Sequence, residues 1–62
     1  MRVAAEFEDL DGKRFYWDGR TYASAEEAQA AASSYAADGF EVRLLEGPEG
    51  HLVYSRREAQ AT

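Results

Sequence analysis

The sequence predicts a small α+β domain of order β-β-(β)-α-β-β: a mainly antiparallel sheet of about four strands with one helix packed on one face. Three observations carry this reading. Asp11-Gly12 and Asp18-Gly19 punctuate strand-like runs, Ser24-Ala25-Glu26-Glu27 opens a helical stretch, and the segments flanking that stretch alternate in polarity.

The first alternating segment is 2–10. Val3, Ala5 and Phe7 point one way, against Arg2, Ala4, Glu6 and Glu8. Asp11-Gly12 then separates it from Lys13-Arg14-Phe15-Tyr16-Trp17. A two-residue turn with positive φ at both positions favours this dipeptide, so a hairpin is expected. Asp18-Gly19 is expected to end the second strand, with Arg20-Thr21-Tyr22 as a short extended piece that pairs back.

Ser24 can cap the free N–H groups of a helix start, and Glu27 occupies the reciprocal capping-box position. Glu26 and Glu27 also meet the positive end of the helix dipole. The helix is expected over Ala25–Ala37, with Ala28, Ala31, Ala32, Tyr35 and Ala36 forming one apolar stripe. Such a stripe, mostly alanine, lets the helix axis lie close to what it covers. The opposite face carries Glu26, Gln29, Ala30, Ser33 and Ala37 and no basic residue. Asp38-Gly39 supplies a left-handed stop. Phe40 to Leu45 alternates again, 46–50 is a loop holding two Gly and the only Pro, and His51 to Arg57 is the last strand. No internal repeat or linker divides the chain, so 1–62 is expected to be one domain, with 58–62 a frayed tail.

Composition limits function. Twelve Asp+Glu against seven Lys+Arg give a net charge of -5, which repels phosphate and argues against nucleic acid or an anionic membrane as the default partner. Cysteine is absent, which excludes a disulfide scaffold, a thiolate zinc site and a thiol enzyme. No apolar run is long enough to span a membrane, and the first residues lack a signal-peptide core, so a cytoplasmic location is expected. Arginine over lysine six to one, together with abundant Ala, is a bias common in GC-rich bacterial genomes. The apolar content is largely alanine, so large core side chains are few. A domain of this size commonly needs a staple or a partner. With no cysteine and no metal motif, self-association is the expected device.

The residues that could carry chemistry have simpler structural explanations. Asp9-Leu10-Asp11-Gly12 opens like a calcium loop, but its twelfth position is Arg20 and its Gly is fourth rather than sixth. His51 is the only histidine and cannot build a multi-histidine metal site. Ser24, Ser33, Ser34 and Ser55 lack a nucleophile-elbow context. Glu6 and Glu8, about 7 Å apart on one strand face, suit a solvated face. No residue is therefore assigned a catalytic, cofactor-binding or metal-ligating role, no cofactor or small-molecule ligand is implied, and the chain is read as a non-enzymatic module.

The expected surface depends on which face the helix covers. If Phe7, Phe15, Trp17, Val42, Leu44, Leu52 and Tyr54 face it, the far side carries Tyr16, Leu45 and Val53, with Arg14 and Arg43 at the rim. These last five are the expected interaction surface for a second copy or another protein. The same arginines and Tyr16 on an open sheet face form the alternative, a single-stranded nucleic-acid binder.

The segment Tyr35 to Arg57, with Gly39-Phe40-Glu41-Val42 after a helix and Val53-Tyr54-Ser55-Arg56-Arg57 closing a hairpin, resembles the C-terminal half of certain small bacterial domains of unknown function. The resemblance implies the fold and assigns no activity.

Overall fold

The computed structural model describes residues 5–57; the expected strand positions Arg2, Val3 and Ala4 and the expected tail 58–62 lie outside them. Its elements run β1 (Phe7–Leu10), β2 (Lys13–Tyr22), α1 (Ala25–Ala37), β3 (Phe40–Gly47) and β4 (Gly50–Arg57). The four strands form one antiparallel sheet of order β1-β2-β4-β3, curled into a half-barrel, with the helix on one face. Among the described residues, no helix is long and apolar enough to cross a membrane.

Local chemistry accounts for each element. Asp11 (φ 53) and Gly12 (φ 76) make the two-residue turn that pairs Leu10 with Lys13. Ser24 caps α1, its Oγ accepting from the Glu27 N–H at 3.2 Å. Glu27 reaches back, but its Oε1 accepts from Ala23 N at 3.4 Å, one residue before the cap. Gly39 (φ 93) ends the helix, donating its N–H to the Ala36 carbonyl at 3.0 Å.

Three sequence expectations change. The extended piece 20–22 is not a separate strand. It is the end of β2, which continues through Asp18-Gly19 by a bulge: Trp17 pairs with Tyr54, and Thr21 already with Leu52. Gly19 (φ 86) takes the backbone conformation that makes this possible. The 46–50 loop is shorter than expected, because Gly47 pairs with Gly50 and only Pro48-Glu49 turn between them.

The third change concerns the faces. Antiparallel partners put their side chains on the same side of a sheet. Phe7 pairs with Tyr16, Leu44 with Val53, and Tyr16 with Ser55. The helix-side face therefore carries Phe7, Tyr16, Val42, Leu44 and Val53. The other carries Phe15, Trp17, Leu45, Leu52 and Tyr54, along with Glu41 and Arg43. Phe15, Trp17, Leu52 and Tyr54 lie opposite the helix, not under it.

The core follows this division. Phe15, Leu52 and Tyr54 form the buried cluster, with Leu10, Trp17 and Leu45 packed against it. That cluster occupies the helix-free, concave face, where the curl folds the sheet over its own side chains. On the helix side, Ala28 and Val53 are buried. β4 lies between β2 and β3 in the strand order, and its consecutive residues Leu52, Val53 and Tyr54 are all buried, one face after the other.

Candidate functional site

The helix leaves part of its own face uncovered. It packs mainly on β3 and β4, so β1 and the first half of β2 stay open. There Phe7 and Tyr16 stand 41% and 54% exposed, their rings 6.1 Å apart. Arg14 lies on the same face with its guanidinium 4.1 Å above the Phe7 ring, and its Nε donates to Asp9 Oδ1 at 3.1 Å. The hydrogen bond and charge of Asp9 push the Arg14 pKa further up. The result is an aromatic strip edged by one cation and one anion.

The five residues expected to form a surface are thus divided. Arg14 and Tyr16 come together on this strip. Val53 shares their face but is fully buried at 0% exposure. Arg43 and Leu45 are on the opposite, concave face. Phe7 was expected in the core and is instead the strip's second aromatic.

On the concave face, Arg43 lies with its guanidinium 5.1 Å from the Phe15 ring centroid and contacts Asp11 (3.2 Å) and Glu41 (3.3 Å). Glu41 also meets Arg56 at 3.0 Å and Lys13 at 3.4 Å. Burial alone would raise the Glu41 carboxyl. Hydrogen bonds from Arg56 and Lys13, with the charges of Lys13 and Arg43, outweigh it and hold the pKa below the usual value. This end of the face is an ionic mesh of three cations and two carboxylates that shields Phe15.

The other end of the concave face is a groove of about 440 Å³. Trp17, Leu45, Leu52 and Tyr54 supply its apolar wall, and the β3–β4 turn closes one side. Glu8, Glu46 and Glu49 also line it, and among the described residues no Lys or Arg does. The Trp17 indole N–H donates to the Arg20 carbonyl at 2.8 Å, which fixes the ring through the bulge. Tyr54 Oη donates to the Ala5 carbonyl at 2.7 Å. Burial first, and then the charge of Glu8, raise the Tyr54 pKa.

The bulge organises the region beneath the helix. Asp18 Oδ2 accepts from Tyr22 Oη at 2.7 Å and from Tyr35 Oη at 3.1 Å, and its Oδ1 accepts from the Arg20 N–H at 2.9 Å. Burial and the Asp18 carboxylate push the Tyr22 hydroxyl up to about 12. The same two causes raise Tyr35. Gly50 lies against the far end of β2, where a Cβ would come within 2.7 Å of both the Thr21 methyl and the Tyr22 carbonyl oxygen. His51 is the second residue of β4, and its Nδ1 is 3.9 Å from Glu46 Oε2.

Neither the strip's second aromatic nor the acidic groove was anticipated. Phe7 was within reach, because the tight Asp11-Gly12 turn pairs it with Tyr16. The groove had no sequence signal, since it depends on the curl and on β2 pairing with β4.

Compared with known proteins, the chain matches no family model, and no curated protein and no solved structure matches it.

Proposed function

We propose that this chain is a small non-enzymatic interaction module of the cytoplasm that self-associates through the uncovered strip of Phe7, Tyr16 and Arg14. The observation that carries the reading is a pair of touching aromatic rings, 41% and 54% exposed, on a part of the helix-side face that the helix does not reach. Exposed aromatics that pack on each other and under an arginine are the composition of interface centres.

A second copy suits this strip because the strip is self-complementary. Arg14 and Asp9 pair with each other beside it, and a two-fold rotation can let each exchange its partner for the matching residue of the second copy. Sedimentation at tens of micromolar tests the reading. A dimer is expected for the native chain and a monomer for Phe7→Ser with Tyr16→Ser. A native species of 6.9 kDa would remove it.

The nucleic-acid alternative draws less support. It groups Arg43 with Tyr16, and Arg43 stands on the other face in contact with Asp11 and Glu41. A labelled oligonucleotide whose binding weakens steeply with salt would restore it.

A further inference from the structure

The concave groove lies on the opposite side of the sheet from the aromatic strip and has a different chemistry. Its wall is apolar and aromatic, through Trp17, Leu45 and Leu52, and among the described residues the charged ones that line it are Glu8, Glu46 and Glu49, of which Glu46 directs its side chain to the helix-side face. The basic residues of the same face do not neutralise them. Lys13, Arg43 and Arg56 are engaged at the other end by Glu41 and Asp11. His51 lies 3.9 Å from Glu46, and its ring is on the helix-side face with Glu46, its cross-strand partner.

This segregation selects the ligand. An anion meets carboxylates alone. A wholly apolar ligand would strip water from those carboxylates and return no partner. A long cationic side chain satisfies both halves of the groove: its methylene stem covers the apolar wall, and its head reaches the acidic groups. Trp17 adds an aromatic ring, the best of the side-chain partners for a cation.

We propose that the groove binds an arginine or lysine side chain presented by a basic peptide segment of a partner protein, with the aliphatic stem on Trp17 and Leu45 and the charged head at Glu8 and Glu49. The groove has the volume for one such side chain, and the exposed turn at Pro48-Glu49 leaves room for the peptide backbone to pass.

Trp17 is the single tryptophan, so its fluorescence reports this groove alone. Titration with the capped peptide Gly-Arg-Gly should give a saturable change that weakens with added salt. The matched peptide Gly-Gln-Gly should give none over the same range. Glu49→Gln, in an exposed turn, and Glu8→Gln should each raise the apparent Kd at least fivefold. Glu26→Gln, which removes the same charge from the far side of the helix, should change it less than twofold. The proposal is overturned if the arginine peptide gives no saturable change, if the glutamine peptide binds equally, or if Glu26→Gln weakens binding as much as Glu49→Gln does.

Discussion

The two faces of the sheet divide their work in an unexpected way. The face without a helix holds the largest buried side chains, Phe15 and Tyr54, whereas the face with the helix leaves Phe7, Tyr16 and Leu44 exposed. A helix on a sheet is usually where a small α+β domain keeps its core. Here the helix contributes mostly alanine methyls, and the curl encloses the aromatics instead. Covering a face and burying the bulk of the core are separable tasks. A sheet that curls far enough makes the helix a lid over one half of the opposite side.

The sharpest way to break this comparison is to truncate one phenylalanine on each face. Phe15→Ala should cost about 3–5 kcal/mol, enough to unfold a domain of marginal stability. Phe7→Ala, measured by urea denaturation in dilute solution, should stay within about 0.5 kcal/mol. Equal losses would show that the two faces share the core.

The helix contact is tested next. Ala28 is 1% exposed, so the helix sits too close to the sheet for a larger side chain. Ala28→Leu should cost about 1–3 kcal/mol by overpacking, while Ala30→Leu, on the exposed side of α1, should be close to neutral in the same thermal melts. A neutral Ala28→Leu would mean the lid is loose.

Asp18→Asn sharpens the link between the bulge and the helix. Replacing a charged acceptor with a neutral one should cost about 1 kcal/mol. Tyr22 holds its proton more tightly folded than unfolded, so its contribution to stability is complete below pH 10 and is lost as pH climbs through about 12. With Asn in place of the carboxylate, the tyrosine absorbance titration should move to lower pH and that alkaline loss should shrink. An unchanged titration would leave burial as the sole cause. The smallest effect belongs to the cap: Ser24→Gly should lower stability by only a few tenths of a kcal/mol.

Much of this fold was legible in the residues, and the failures have identifiable causes. The helix boundaries were readable because their signals are local, in Ser24 at one end and Gly39 at the other. The face assignment of Phe7 was readable in principle, since a two-residue turn at Asp11-Gly12 leaves one pairing register. The residues alone suggest an extra strand because an Asp-Gly bulge and an Asp-Gly turn look alike without the partner strand. Only β4, which skips two residues between Trp17 and Thr21, distinguishes them. The position of the core was beyond local signals, because it depends on how β2 meets β4 after a helical crossover. For the same reason Arg43 and Leu45 could not be told apart from Arg14 and Tyr16 in sequence.

Native-state hydrogen exchange tests the division of labour most directly. If the curled face is the folding core, the amides of Leu52, Val53 and Tyr54 in β4 exchange only through global unfolding, while those in the middle of α1 open at a lower free energy. Helix amides protected as strongly as those of β4 would contradict it, and would return the helix to the centre of the fold.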